Sequence, residues 1–268
     1  MTGYIHSIET MGTVDNGGIR FVLFLQGCGL RCNFCHNPDT WLASGKPVEV
    51  EEIIEQLKEY KTFFELSGGG LTVSGGEPLL QSGFVKELFI EAGKLGVHRA
   101  LDTAGYCKRG ELQEVLPHTD QVIFSLKVVD PEKHRQLTKR ENVDIIKNLR
   151  LTADSQVQLV VCYVLIPGVN DAPEDAQDLA DLVKSLGKDI PVDVLAYSKL
   201  GADKWEEMGL CDPMAGVAPA TQKQVELFQS GLRRLGVQLH NVRRWENFLD
   251  DKGYEKFSES SGVIHMAE

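Results

Sequence analysis

The sequence has no run of about 20 apolar residues, the length that a membrane-spanning helix requires. Its start, Met1 to Glu9, also lacks the charged segment followed by an apolar segment that marks a signal peptide. Positive charge is scarce as well, because 28 Lys and Arg stand against 39 Asp and Glu, for a formal net charge of -11. We therefore expect a cytoplasmic protein, with no nucleic-acid or membrane partner held by long-range attraction.

Cysteine is also scarce, and the chain has too few cysteines for a disulfide scaffold, with six in 268 residues. Three of them, Cys107, Cys162 and Cys211, are far apart, and we interpret them as ordinary thiols. Phosphate-binding motifs are missing too, since the glycines at 68–70 have neither a Walker lysine nor a GxGxxG spacing. Chemistry is therefore to be sought at the remaining cysteines.

These remaining cysteines, Cys28, Cys32 and Cys35, lie in one short C-x3-C-x2-C segment. A 4Fe-4S cluster has four irons, so three thiolates leave one iron able to bind a small molecule. Zinc is the alternative metal, with His36 as a fourth ligand. However, His36 is adjacent to Cys35, and adjacent residues rarely both reach one ion. The spacing therefore favours an iron–sulfur cluster over a zinc site.

Apolar runs alternate with amphipathic segments along the chain, which is the pattern of repeated βα units around a parallel sheet. Buried strands are predicted at residues 19–26, 71–74, 100–103, 121–126, 157–166 and 191–197. Helices are predicted at residues 48–60, 83–93, 111–116, 142–152, 173–186 and 219–235. The order predicts an α/β fold, a partial (β/α)6-type barrel of parallel strands in a single domain, with an open doubly wound sheet as the alternative. We expect the core domain at residues 1–242 and a C-terminal appendage at residues 243–268.

Candidate functional residues follow the predicted strands at the end where the ligands of such sheets gather. The cysteine segment follows the first strand, and Gly75, Gly76 and Glu77 follow the second. The glycines let a ligand approach the backbone, and Glu77 offers a carboxylate to an amine. Asp102 ends the third strand, and Lys127 ends the fourth. Taken singly, each of these is equally a turn residue or a solvated charge, but together they predict a ligand site.

Longer sequence motifs surround these residues. They are GTVDNGGIR at 12–20, QGCGLRCNFCHNPDTW at 26–41, GGGLTVSGGEP at 68–78, PG at 167–168 and LGADKW at 200–205. These motifs resemble the radical S-adenosylmethionine (SAM) superfamily and, within it, the activating enzymes of pyruvate formate-lyase. The likeness covers about residues 3–242. It implies the radical SAM form of the partial barrel.

The resemblance also implies an activity, an oxidoreductase reaction that uses SAM and a 4Fe-4S cluster, with a monovalent cation site nearby. SAM would chelate the open iron, and an electron from the cluster would break its C–S bond to give methionine and a 5'-deoxyadenosyl radical. That radical would abstract a hydrogen from a backbone glycine of pyruvate formate-lyase under anaerobic conditions. An electron donor such as flavodoxin or ferredoxin is implied as a second partner. No side-chain acid or base is required.

Site residues carry over from the resemblance one by one. Cys28, Cys32 and Cys35 would hold the cluster. The backbone at Phe34, Cys35 and His36 would flank the adenine, and Gly75, Gly76 and Glu77 would meet the methionyl amine. The remainder of SAM would lie against Asp102, Ser125, Leu126, Lys127 and Ser198. Asp15 would contact the substrate peptide.

The chain also departs from the resemblance at several positions around the implied SAM and cation sites. It has Ala104, Ser125, Cys162 and Ser198 where the family usually has asparagine, aspartate, arginine and histidine, Thr138-Lys139 for a threonine-glycine pair, and Gly17-Gly18 for Pro-Gly. Fewer fixed charges predict weaker SAM binding, because each charge-assisted hydrogen bond contributes roughly 1.5 to 3 kcal/mol. Two alternatives follow, an activase of a different glycyl-radical enzyme and a non-catalytic binding or assembly protein on a decayed scaffold. The first is disfavoured in its common form, because residues 37–105 contain no cysteine for a second cluster.

Overall fold

The computed structural model describes residues 1–12, 17–42 and 44–240, and in this part of the chain the strands form one eight-stranded sheet. The strands are β1 (Thr2–Gly12), β2 (Arg20–Leu25), β3 (Lys46–Glu49), β4 (Gly70–Gly75), β5 (His98–Thr103), β6 (Gln121–Ser125), β7 (Gln158–Leu165) and β8 (Val192–Ala196). The helices are α1 (Val50–Ser67), α2 (Ser82–Lys94), α3 (Arg109–Val115), α4 (Pro131–Thr138), α5 (Val143–Asp154), α6 (Pro173–Lys184), α7 (Ala202–Glu207) and α8 (Gln222–Arg234). The α/β class is therefore confirmed.

The strand order of the sheet is β3-β1-β2-β4-β5-β6-β7-β8. From β2 to β8 the neighbouring strands are parallel and follow one another in chain order. A doubly wound sheet would instead reverse its strand order at a switch point. The sheet is open, with β3 and β8 as its edges among the described residues. The architecture is therefore the partial barrel, and all six predicted strands are present.

The two faces of the sheet differ in chemistry, as successive side chains of a strand point to opposite faces. One face carries fully buried apolar side chains that pack under the helices, and Tyr163 of β7 stacks on Phe228 of α8 with ring centroids 5.5 Å apart. The opposite face carries polar side chains among apolar ones such as Val22 and Val160. Its side chains include Arg20, Thr72, Ser74, Asp102, Ser125 and Asp193. The helices therefore close the core on one side, and the opposite face is left for a ligand.

The predicted helix at 48–60 begins too early, because Val48 pairs with Gly3 in an antiparallel ladder between β3 and β1. The helix starts at Val50, where Glu49 and Glu52 form a capping box. Both β1 and β3 were missed. Their outward side chains are exposed, and β3 is only four residues long, so neither gives the buried apolar run on which the strand prediction depended. The short helices α4 and α7 were missed as well.

Two predictions fall outside the part of the chain that the structure describes. They are Asp15, the implied contact to a substrate peptide, and the appendage at residues 243–268. Within the described residues, no helix is both long enough and apolar enough to span a membrane.

Candidate active site

The carboxyl ends of the parallel strands bring the predicted site segments to one edge of the sheet. Leu25 pairs with Gly75, so the cysteine loop after β2 and the Gly-Gly-Glu-Pro turn after β4 start side by side. Two backbone bonds continue this contact, from Gly76 N to Leu25 O at 2.9 Å and from Glu77 N to Gly27 O at 2.8 Å. The turn therefore forms one wall of the cysteine loop.

Backbone hydrogen bonds fix the cysteine loop from both sides. On one side, the carbonyls at the end of α4 accept from the loop, Thr138 O from Arg31 N at 2.9 Å and Leu137 O from Asn33 N at 2.8 Å. On the other side, the indole of Trp205 in α7 donates to Cys35 O at 3.0 Å. Since a typical hydrogen bond contributes about 1 kcal/mol net, these contacts order the loop before any metal binds.

The three thiols of the loop lie in an apolar setting. Cys32 is buried, and Cys28 and Cys35 are partly buried against the core. Burial raises the pKa of Cys28 to about 12 and that of Cys32 to about 11, and it also raises the pKa of Cys35. A metal must displace these protons, because the thiolate is the ligand. The loop therefore presents buried thiols that need a strong cationic partner to ionise.

The three cysteines are a donor set that fits a 4Fe-4S cluster, because each cysteine of such a cluster binds a different iron and the thiols need not converge on one ion. In the described part of the chain, no three His, Cys, Asp or Glu side chains are close enough together to hold one metal ion.

Close backbone contacts explain the glycines at the site. A Cβ on Gly76 would lie 2.1 Å from Gly27 O, and Gly75 has a φ of +119°. A Cβ on Gly201, just before α7, would lie 2.5 Å from the Cα of His36. No larger residue fits at these three positions without moving the cysteine loop. The glycines of the motifs GGE and LGADKW are therefore needed for close packing around this loop. The sequence alone did not reveal this role.

Glu77 is fully buried, and its carboxylate is already hydrogen-bonded. Oε1 accepts from Thr103 Oγ1 at 2.6 Å and from Leu79 N at 3.1 Å, and Oε2 accepts from Ala104 N at 3.0 Å. Burial raises the pKa of Glu77 despite these donors. The carboxylate joins the end of β4 to the end of β5. This geometry favours contact of the turn with a ligand amine through its backbone rather than through the Glu77 side chain.

Asp102 lies between two serines at the polar edge of the site. Its carboxylate accepts from Ser74 Oγ at 2.7 Å and from Ser125 Oγ at 3.1 Å. Ser74 was not predicted, because a serine within an apolar strand has no signal beyond its alternation. Ser125 in turn pairs with Cys162 of β7, which pairs with Asp193 of β8. A row of small polar groups therefore crosses the sheet here.

Lys127 links this row to the cysteine loop. Its Nζ lies 5.7 Å from the ring centroid of Phe34, within cation–π range. Burial opposes the charge of Lys127, but Cys32 and Asp102 outweigh burial and raise its pKa. Leu126, the neighbour before Lys127, is buried. Phe34 and Lys127 are thus brought together, as the strand-end prediction required.

The opposite side of the mouth is a narrow groove between the cysteine loop and the residues after β8. His36 Nε2 lies 3.2 Å from Ser198 O, so these two predicted residues are in contact. Phe34, Cys35 and Ser198 line the same groove. A larger cavity of about 780 Å³ lies elsewhere, lined by His98, Leu116 and Gln158 among others, and contains none of the predicted site residues. Size alone therefore does not locate this site.

Comparison with known proteins agrees with the geometry. The family model of the radical SAM superfamily matches residues 22–183. A pyruvate formate-lyase-activating enzyme of Listeria monocytogenes is 41% identical over 232 residues, which are 84% of this chain and 94% of that protein. A second one, from Staphylococcus epidermidis, is 39% identical over 234 residues, with 84% of this chain and 93% of that protein covered.

A solved structure supports the fold. A radical SAM methyltransferase from Sphaerobacter thermophilus superposes with a TM-score of 0.61 at 18% identity, over 82% of this chain and 65% of that one. The likeness at that identity concerns the fold alone. Taken with the sequence relatives and with three thiols fixed at the strand ends, it establishes that the chain belongs to the radical SAM superfamily and, within it, to the family of pyruvate formate-lyase-activating enzymes.

Proposed function

We propose that this chain activates pyruvate formate-lyase by generating a glycyl radical in it. The observation that carries the proposal is the edge of the sheet, where the cysteine loop lies beside the Gly-Gly turn and Lys127 contacts Phe34 within the loop. Similarity to pyruvate formate-lyase-activating enzymes over most of the chain supports the same function. The cofactors are a 4Fe-4S cluster and SAM. When bound, they supply a one-electron cleavage of the SAM C–S bond and an adenosyl radical that removes a glycine hydrogen.

The residues of the chain itself bind the cluster and SAM, orient them and shield them from solvent. Cys28, Cys32 and Cys35 would hold the cluster, and with three thiolates for four irons one iron would be open to SAM. We assign the backbone at Gly75 and Gly76 to the amino group, and these glycines also let the turn pack directly against Leu25 and Gly27. Lys127 is a cation held over Phe34, and we assign it to the carboxylate of SAM.

Further roles belong to the same proposal. The backbone at Phe34, Cys35 and His36, beside the groove near Ser198, is assigned to the adenine. Ser125, Leu126 and Ser198 are assigned to the remainder of SAM. Asp102 and Glu77 act differently, since Asp102 faces SAM while Glu77 joins the two strand ends beneath it. Asp15 is assigned to the substrate peptide.

The setting of the reaction is also proposed. The electron comes from a small carrier such as flavodoxin or ferredoxin, and the protein works in the anaerobic cytoplasm. Residues 1–242 act as the radical SAM core domain, with residues 243–268 as an appendage. A different glycyl-radical enzyme is the second candidate for the substrate, because Ser125 and Cys162 supply no fixed charge at the wall of the SAM site.

Electron paramagnetic resonance on a mixture with pyruvate formate-lyase tests the substrate assignment. The full chain is reconstituted anaerobically with iron and sulfide, reduced, and mixed with SAM and pyruvate formate-lyase. We expect a glycyl radical signal whose spin count rises with time and vanishes without SAM. A matched mixture with a glycerol-type glycyl-radical enzyme is the control. A signal in that mixture alone would move the assignment to the second candidate.

A further inference from the structure

The outer side of the cysteine loop carries a group of cations, which we call the basic patch: Arg31, Lys108, Arg109, Lys139 and Arg140. Four of them are exposed, and Arg31 is half-buried. The chain as a whole has a net charge of -11, so a local excess of positive charge runs against its general character. Two carboxylates lie beside the patch, Glu111 and Glu141. The patch therefore keeps a positive excess after these neighbours are counted.

Direct contacts place the basic patch on the backbone between the cluster cysteines. Arg140 Nε donates to Gly29 O at 3.1 Å, and Arg31 NH1 donates to Cys28 O at 2.7 Å. The ring of Tyr106 lies against Gly29, where an added Cβ would be 2.3 Å from the ring, and Lys108 follows two residues later. The patch thus covers the part of the loop that joins Cys28 to Cys32.

Most cations of the basic patch are not neutralised locally. Within the described ranges, no carboxylate lies within 4.0 Å of Lys139, Arg140, Arg109 or Arg31. Lys139 Nζ and the Arg140 guanidinium are occupied by backbone carbonyls. Lys108 has only a long contact of 4.0 Å to Glu111, and Glu141 faces Arg135 at 4.0 Å. Arg109, Lys139 and Arg140 therefore keep an exposed positive charge for a partner, while the half-buried Arg31 lies over the ring of Trp41 at 4.9 Å.

We propose that the basic patch is the docking surface for the electron donor, a small acidic protein that carries a one-electron reductant. This inference rests on the proposed function, because only a redox cluster behind the patch needs such a partner. The carrier loses one electron, the cluster gains it, and no bond is made or broken. Charge complementarity between an acidic carrier and the patch steers the encounter.

The position of the patch explains how two partners use one cluster. The mouth of the site opens at the groove near His36 and Ser198, on the α7 side of the loop. Apart from Arg31, whose guanidinium lies over the ring of Trp41, the basic patch lies on the α3 and α4 side of the same loop. A carrier on the patch therefore approaches the loop without covering the groove that we assign to SAM.

The test measures cluster reduction by flavodoxin hydroquinone in stopped flow, followed as bleaching of the cluster absorbance in the full-length reconstituted protein. The double variant Lys108→Glu with Arg109→Glu reverses two exposed charges, and neither side chain has a hydrogen bond or ion pair to the cysteine loop. The matched control is Lys184→Glu with Lys223→Glu, which makes the same charge change on α6 and α8. We expect the patch variant to react about 10-fold or more slowly at low ionic strength, within the range known for steering.

Salt dependence is the second measurement, and it does not depend on any variant. The wild-type rate constant with flavodoxin should fall as salt rises, and the patch variant should converge on it near 1 M, where the Debye length is about 3 Å. An equal loss of rate in the control variant, or a wild-type rate that ignores salt, would overturn the proposal. A patch variant that is reduced normally but no longer binds pyruvate formate-lyase would overturn it as well, by assigning the patch to that partner.

Photoreduced 5-deazariboflavin separates this proposal from the proposed function. It is a small reductant that needs no docking surface, so every variant should reach the same extent of cluster reduction and of SAM cleavage with it. Loss of SAM cleavage in wild type with this reductant would contradict the proposed function, while flavodoxin-driven bleaching would still report on docking. Iron and sulfide content of each variant shows that equal clusters are compared.

Discussion

The two walls of the candidate active site differ in how they are built. The cysteine-loop wall is held by backbone bonds from α4, by Trp205 and by glycines that no other residue can replace. The opposite wall, formed by β6, β7 and the residues after β8, carries Ser125, Cys162 and Ser198, none of which bears a fixed charge. The first wall is fixed by packing, so substitutions there are costly. The second wall faces a ligand, so it can change without loss of fold.

The largest expected effect is loss of the cluster on the first wall. In Cys32→Ala one corner of the cluster loses its thiolate, and we expect iron and sulfide content and SAM cleavage to fall to background. Cys107→Ala is the control, since it removes a partly buried thiol that lies off the loop. Iron analysis of both variants measures the cluster content, and chromatography of the products measures SAM cleavage. Equal cluster content in the two variants would contradict the assignment of Cys32.

Glu77→Gln tests the structural role assigned to that residue. The amide would face the N–H of Leu79 or of Ala104 with its own NH2 group, leaving a buried donor without an acceptor. We expect a loss of about 1 to 3 kcal/mol in the free energy of unfolding. Urea unfolding of the metal-free protein measures it, with the exposed Glu59→Gln as control. Unchanged stability with a large loss of SAM affinity would instead make the side chain a ligand contact.

The pH dependence of the same variant has a definite sign. Burial raises the pKa of Glu77 in the fold, so the protonated form is favoured there. Its contribution to stability is fully present below the unfolded pKa, about 4.3, and is lost as pH rises through the folded value. The stability of wild type relative to Glu77→Gln should therefore fall from acid towards neutral pH. A relative stability that rises over that interval would mean that Glu77 is ionised and held by its donors.

Ser125→Asp tests the second wall. A carboxylate there would stand next to Asp102, now 3.1 Å from the Ser125 hydroxyl, and two such charges need a cation between them. We expect SAM affinity in the variant to rise on the order of 10-fold with added potassium, about 1.4 kcal/mol, and wild type to respond little. Equilibrium dialysis in potassium and in tetramethylammonium, which is too large for the site, compares the two. An equal potassium response in wild type would show that the cation site survives without this carboxylate.

The smallest expected effect concerns Lys139, which ends α4 with a φ of +62°. It is the one described non-glycine residue with a positive φ, and it stands where the family usually has glycine. Lys139→Gly should stabilise the protein by about 1 kcal/mol, because the left-handed conformation costs a side chain that much. Lys58→Gly, at an exposed position in the middle of α1, should do the opposite, since glycine weakens a helix interior. Thermal unfolding of both variants measures the difference.

The parts of the molecule that could be predicted from the sequence are those with a regular apolar pattern or a characteristic cysteine spacing. The six parallel strands are buried runs, and the cysteines, Glu77, Asp102 and Lys127 all follow such runs, so topology alone brought them to one edge. The exposed strand β1, the four-residue β3 and the short α4 have no such signal. The contacts of Thr138, Leu137 and Trp205 with the loop were also beyond prediction, because they join residues more than 100 positions apart through backbone atoms.

The central claim is that the cysteine loop binds the cluster and supports SAM cleavage, although Ser125, Cys162 and Ser198 supply no fixed charge to the opposite wall. Its most direct test is the yield of 5'-deoxyadenosine from the full-length chain, reconstituted with iron and sulfide and given SAM and reductant under anaerobic conditions. We predict 5'-deoxyadenosine and methionine in equal amounts, increasing with time and absent without reductant. A protein that carries a full complement of iron and sulfide and still releases no 5'-deoxyadenosine would contradict the claim.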